Sequence, residues 1–516
     1  MDKLSKKPKI IVIGVDGGTF DLISPWAFEG RLPNFQRLMA EGSWGRLQST
    51  NPPLTPCAWT SFKTGVNPGK HGVYDFYSLD ENRELQVNYS RDRGFPSIWQ
   101  IISNLGLRSC VYNVPFTFPP EKVNGILISG LLTPSVRSNF TYPPDFKKDL
   151  LGAIPDYRIF PESRYSERES DIRAFYDDLI ELIDIRYRTA RFLLEREPWD
   201  FFMMVFNETD FVQHWYWKYI DPDHPDFSEE GRARHGGKIF EVYRRIDEHL
   251  GRFLEFAGDE TLFLVISDHG AGRFIKRMYV NNWLRRERYL HLKRTPKVIF
   301  KRLLYWMGLH PQAAVNLAFK LGIASYSSKI SYQQRKVFLS RLGFTFDDVD
   351  WKRTNAFSYG CYGPIFLNSM ENSHLGIVPD DEVKTLRQEI AAKLMEIVDP
   401  ERSGVKLVDR VWTREELYSG PLARLLPDLI YSLDNFSYTS STLFAIPSND
   451  IFSKPLTRKS GDHRIDGVFI AYGKGVKRGY TLDKPNILDV APTILEYFGI
   501  EVPQEMDGTP LREIYA

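Results

Sequence analysis

Six short apolar runs recur along the chain, at residues 10–15, 109–114, 125–129, 201–206, 261–266 and 467–472. Each is continuously apolar rather than alternating, the pattern of strands buried on both faces. Between them lie segments with helical periodicity, at 34–41, 98–104, 170–197, 237–256, 381–397 and 487–498. Gly42 and Gly106 stand where the first two helices should stop, and Asn486 with Asp489 is placed to cap the last. Pro492 limits how far that last helix runs undistorted. Alternating strands and helices predict an α/β fold, a doubly wound and mostly parallel sheet flanked by helices.

One segment has a different texture. From Lys276 to Lys336 there are 14 Lys and Arg against the single acid Glu287, about +13. The whole 516-residue chain carries only +1, so the remainder is about −12. Residues 297–308 and 313–321 within this stretch look amphipathic. Residues with catalytic potential lie on both sides of it, which predicts a core of 1–275 and 351–516 interrupted by a basic helical cap at 276–350. The cap is expected to shape substrate access. Its charges are read first as solvating a cap with an apolar underside; contact with an anionic membrane or steering of a polyanionic substrate is the functional alternative.

Composition narrows the class. With 42% hydrophobic and 26% charged residues, the chain is an ordinary globular protein. The near-zero net charge gives no footprint of a dedicated nucleic-acid binder. Three cysteines, Cys57, Cys110 and Cys361, build no disulfide framework. No apolar run is long enough to span a bilayer, and the first one ends at Asp16 without a cleavage site, so a cytoplasmic location is expected.

Open α/β sheets bind ligands beyond the carboxyl ends of their strands. Asp16 follows the first run, Asp210 the run at 201–206, and Asp268 with His269 the run at 261–266. On a helix, Asp210 and His214 share a face. A further histidine, His463, precedes the last run. Converging carboxylates and imidazoles suit a divalent metal. Residues 51–65 carry hydroxyls at Thr55, Thr60, Ser61 and Thr64, with Thr55 and Pro56 placed to open a helix. A hydroxyl at a helix amino end can simply cap it, or attack phosphorus while helix N–H groups receive a phosphate oxygen.

Taken in order, VDGGT at Asp16, LTPCAWTSFKTGVNPGKHG around Thr55, NETDFVQH, SDHG, GDHRIDGVFIAYGKGV, ILDVAPTIL and VPQEMDGTPL resemble the alkaline phosphatase superfamily, in its type I phosphodiesterase/nucleotide pyrophosphatase branch. The resemblance implies two metals, one held by Asp210, His214 and His463, the other by Asp16, Asp268 and His269. It implies Thr55 as nucleophile close to the second metal and contributing to it. The expected activity is hydrolysis of a small phosphate diester or pyrophosphate through a phosphothreonine intermediate. Mixed N/O ligation suits zinc, or manganese, better than magnesium.

Other readings fit less of the chain. Phosphomonoester or phosphonate hydrolysis belongs to the same superfamily, and a non-catalytic binder of a phosphorylated ligand remains the alternative of another class. The sulfatase motif is absent, since Cys57 is followed by Ala58-Trp59-Thr60. Asp75 is followed by Phe76 where many nucleotide pyrophosphatases carry a phosphoryl-contacting Asn. A sugar kinase would need a second Gly-rich phosphate loop, and a dinucleotide fold would need GxGxxG after the first strand. His71, His235 and His249 are read as structural.

Overall fold

The computed structural model describes residues 8–80, 83–258, 260–311, 313, 317, 343–373, 375–399, 401–402, 404–444, 450–455 and 458–516. The chain divides into two compact units: Met1–Phe76 with Asn88–Arg273 and Ser460–Ala516, and Tyr77–Val87 with Phe274–Lys459.

The first unit is built on a nine-stranded sheet. Its centre is five parallel strands in the order Thr261–Ile266, Lys9–Val15, Phe201–Phe206, Ser109–Tyr112, Gly125–Ile128. Asp466–Tyr472 lies antiparallel beside Thr261–Ile266 and carries Ser43–Gln48 on its other side. Burial explains the unbroken apolar runs. Ile11, Ile13 and Val15 join one hydrophobic cluster, while Ile10 and Val12 join another. Phe202, Met204 and Phe206 divide from Phe201, Met203 and Val205 in the same way. Successive strand residues point to opposite faces, so both faces are covered and neither position tolerates polarity. Helices Phe20–Phe28, Pro33–Glu41, Glu169–Arg196 and Lys238–Leu254 supply the first cluster; Thr55–Thr64, Ile98–Asn104 and Ile487–Tyr497 supply the second. This is the expected α/β architecture with a mostly parallel sheet. The last helix runs through Pro492 and opens on the Asn486/Asp489 capping box.

The second unit has its own five-stranded sheet, in the order Val408–Thr413, Leu429–Leu433, Tyr438–Ser441, Lys276–Tyr279, Phe452–Ser453. A separate core includes Met278, Trp283, Leu429 and Tyr431, joined by Ile390 and Leu394 from the helix Asp380–Met395. Where a cap over 276–350 is expected, contacts within the chain group Phe274–Lys459, together with Tyr77–Val87, in the second unit. Residues 351–459 group with the second unit. The reason is topological: Lys276–Tyr279 pairs with both Tyr438–Ser441 and Phe452–Ser453, so the chain stays in that sheet until it is complete. Nor is the insertion only helical, although Val280–Arg286 and Pro296–Trp306 are helices within it. The amphipathic segment at 313–321 falls almost wholly outside the described residues. Among the described residues no helix is long and apolar enough to cross a membrane.

Candidate metal and phosphoryl-transfer site

Three neighbouring parallel strands end together. Val15 pairs with Phe206, and Gly14 with Ile266, so Asp16, the helix carrying Asp210, and Asp268-His269 emerge at one sheet edge. Asp210 and His214 lie one turn apart on the helix Glu208–Tyr216, with Asp210 Oδ1 3.2 Å from His214 Nε2. After His269 the chain enters Gly270–Arg273, which pairs antiparallel with Gly461–Arg464 and sets Ala271 opposite His463. That pairing delivers His463 from the far end of the sequence. Gly461 is required there, because a Cβ would sit 2.3 Å from the Gln213 carbonyl oxygen. Gly17 turns at φ +67°, a conformation that favours glycine, beside the backbone of Asp210.

Asp16, Asp268 and His269 form one group whose ligand atoms lie within 4.8 Å of one another. Asp210, His269 and His463 form a second, and His214, Asp462 and His463 a third. Asp210 Oδ1 is 3.4 Å from His463 Nε2. The rings of His269 and His463 stack with centroids 3.6 Å apart. All the residues expected as ligands therefore gather at one edge, and Asp462 joins them.

The donor set fits cations. Each imidazole spends Nδ1 on a backbone carbonyl: His214 on Gly461 at 2.7 Å, His269 on Gly270 at 2.9 Å, His463 on Pro53 at 2.7 Å. A carbonyl only accepts, so each Nδ1 carries the proton and each Nε2 of a neutral ring presents a lone pair. His214 Nε2 and His463 Nε2 face each other at 3.3 Å, two lone pairs aimed at the same space. Asp16 Oδ1 and Asp268 Oδ2 are buried without a hydrogen-bond partner, an arrangement that costs free energy unless a cation answers it.

Electrostatics point the same way. Burial and the Asp210 charge push the Asp16 carboxyl up to about 7. Burial, with Asp16 and Asp210, raises Asp268 well above the carboxylate range. For Asp210 burial acts upward too, but His214, His463 and His269 outweigh it and hold the carboxyl low. Burial and His463 lower His269 to about 3. Crowded carboxylates that resist ionising together are relieved by a divalent ion.

Thr55 is the first residue of the helix Thr55–Thr64, with Leu54 rather than Thr55 in the cap position. Its Oγ1 lies 3.4 Å from His269 Nε2, so the hydroxyl faces the site. The same helix sends Trp59, four residues on, to donate from Nε1 to Asp16 Oδ2 at 3.2 Å. Asn207 Nδ2 donates to the same oxygen at 2.8 Å, and Asn113 Nδ2 in turn donates to Asn207 Oδ1 at 2.8 Å. Sequence reasoning missed Trp59, Asn113, Asn207 and Asp462. Two had a signal: Asn207 directly follows a buried strand, and Trp59 is one helical turn past Thr55. His71 lies away from the cluster, accepting from Val73 N and hydrogen-bonded to Ser61. His235 contacts Glu169, and His249 contacts Asp184.

Comparison with known proteins gives a family and structures of similar fold. Residues 10–442 match the family profile described as type I phosphodiesterase / nucleotide pyrophosphatase. No curated protein matches the chain. Among solved structures, murine ectonucleotide pyrophosphatase/phosphodiesterase 5 is similar at 12% identity and TM-score 0.50, covering 98% of this chain and 100% of that one. An inactive threonine-to-alanine variant of that murine protein, in complex with AMP, gives 12% identity and TM-score 0.51 over 99% and 100%. Phosphonoacetate hydrolase from Sinorhizobium meliloti, in complex with phosphonoformate, gives 15% identity and TM-score 0.54 over 95% and 96%.

Proposed function

The chain belongs to the type I phosphodiesterase/nucleotide pyrophosphatase family, and from that premise we propose that it hydrolyses a phosphate diester or pyrophosphate with Thr55 as nucleophile and two divalent ions as cofactors. The observation that carries this is the grouping of Asp16, Asp268 and His269 within 4.8 Å, with two orphaned carboxylate oxygens, beside a hydroxyl 3.4 Å away.

Asp16, Asp268 and His269 would hold one ion and Asp210, His214 and His463 the other, with Asp462 at the margin of the second. Thr55 Oγ1 would also reach the first ion. Bound there, the ions supply positive charge for the entering and leaving oxygens of an in-line displacement. The chain's own residues do the rest. The amino end of the Thr55–Thr64 helix directs backbone N–H groups toward a phosphate oxygen. Asn207 and Trp59 hold Asp16 through Oδ2, leaving Oδ1 to the site. Carbonyls of Gly461, Gly270 and Pro53 fix the imidazole tautomers. Thr55 Oγ1 forms the bond to phosphorus as the first alcohol (or, from a pyrophosphate, the phosphate group) leaves with the proton that Thr55 gives up, and water then breaks the Thr55 O–P bond, releasing the remaining phosphomonoester and restoring the hydroxyl. Zinc, then manganese, suits the mixed N/O set.

Phosphonate cleavage is the second reading, favoured by the likeness to phosphonoacetate hydrolase. A panel of nucleotide diesters, phosphomonoesters and phosphonates, run on chelated and metal-restored protein, separates them. Turnover of diesters only after metal restoration supports the proposal; a preference for monoesters or phosphonates overturns its diesterase part, and turnover insensitive to chelation overturns the metal role.

A further inference from the structure

The helix Pro296–Trp306 has two unlike faces. On one, Val298, Lys301 and Tyr305 are buried. Lys301 Nζ is anchored to Asp348 Oδ2 at 2.7 Å and to the Gly343 carbonyl at 2.7 Å, while the Tyr305 hydroxyl donates to the Phe444 carbonyl. On the other, Ile299, Phe300, Leu303, Trp306 and Met307 are exposed, Phe300 by 59% and Trp306 by 83%. Their i, i+1, i+4, i+7, i+8 spacing makes one apolar stripe. Lys297 lies along one edge of the stripe and Arg302 along the other, both exposed, and Lys293 and Arg294 stand exposed just before the helix.

An apolar stripe with a prominent Trp and cations on both margins is the form of a helix lying in a membrane interface, apolar face down and basic flanks at the headgroups. Charge selects the kind of surface. Around the stripe the exposed cations Lys293, Arg294, Lys297 and Arg302 have no acid among them in the sequence from 293 to 302, so an anionic lipid surface attracts this helix. Four side chains on an eleven-residue helix, with Met307 just past its end, fall far short of the roughly 20–30 residues a side of a stable protein interface, whereas shallow insertion beside neutralised phosphates needs no larger patch. We infer that the Pro296–Trp306 helix docks the protein peripherally on anionic membrane by its exposed Phe300/Trp306 stripe. This surface is independent of the hydrolytic site proposed above.

The test is sedimentation of the full chain with vesicles of phosphatidylcholine alone or mixed with phosphatidylserine, across a salt series. Binding is expected to the mixed vesicles only and to weaken with salt. Phe300→Ser with Trp306→Ser should weaken it about tenfold or more, and Lys297→Glu with Arg302→Glu should remove the preference for anionic lipid. All four residues are exposed, so an unchanged circular dichroism spectrum and melting curve accompany these losses. Failure to bind mixed vesicles, binding that survives both pairs of substitutions, or a dimer dispersed by the Phe300/Trp306 pair would each overturn the inference.

Discussion

Asn207 donates from Nδ2 to Asp16 Oδ2 at 2.8 Å, while the other oxygen of the same carboxylate, Oδ1, is buried without a hydrogen-bond partner. One oxygen is thus held by the protein and the other reserved. Under the proposed metal role, Asn207→Ala removes the shorter of the two donations to Oδ2, leaving Trp59 Nε1 at 3.2 Å to hold a looser carboxylate. Metal affinity should fall about 10–100-fold, measured by calorimetric titration of the chelated protein. An unchanged affinity would mean that Asp16 needs no such restraint.

Thr55 Oγ1 faces His269 Nε2 at 3.4 Å from the start of its helix. Thr55→Ala should lower kcat by roughly 10³-fold or more, with metal content near that of the unmodified protein. Thr55→Ser should retain part of the activity, because the hydroxyl survives. Steady-state kinetics with parallel elemental analysis checks both, and normal turnover by the alanine variant would refute the nucleophile assignment.

Chelation should destabilise the fold. It returns Asp16, Asp210 and Asp268 to mutual repulsion and leaves the His214 and His463 nitrogens opposed at 3.3 Å. Restoring an ion at 100 times its Kd should recover about 2.7 kcal/mol. Thermal melts with and without added zinc or manganese measure this; identical curves would count against ligation.

Burial, with Lys63 and Arg93 nearby, lowers His71 from 6.5 to about 3. The ring is neutral in the fold and its Nδ1 accepts from Val73 N, so the unfolded chain binds the extra proton first. Stability attached to this ring is complete above pH 6.5 and is lost as pH falls toward 3, by up to about 1.4 kcal/mol per pH unit. Urea titrations at several pH values should show this component vanish in His71→Gln. An equal acid slope in both proteins would place the loss elsewhere.

Arg186 and Glu208 form a wholly buried ion pair at 3.3 Å, and Arg186 also donates to the Ile159 carbonyl at 2.5 Å. Arg186→Met strands the carboxylate and should cost about 3–5 kcal/mol. Adding Glu208→Gln should recover part of that, because no buried charge is then left alone. Denaturant midpoints of the single and double variants decide it.

The sequence by itself determined the central strands and the residues at their ends. Runs such as FFMMVF and TLFLVI are apolar without interruption because both sheet faces are covered, and the polar residues after such runs fall at the edge where the candidate ligands gather. Asp16, Asp268 and His269 were legible on that ground, and the Asp210/His214 pair by helical spacing. Motif order pointed to His463, but the strand pairing that carries it to the site was not visible, since Gly461–Arg464 is short and polar. The extent of the second unit was equally hidden. Lys276–Tyr279 reads KRMY and Phe452–Ser453 is two residues long, so nothing local announces a sheet. Tertiary structure alone decided which oxygen of Asp16 is held, which nitrogen of each histidine is presented, and which face of Pro296–Trp306 stays exposed. These depend on partners far away in the chain, and local pattern encodes burial and direction but not the identity of a distant hydrogen-bond partner.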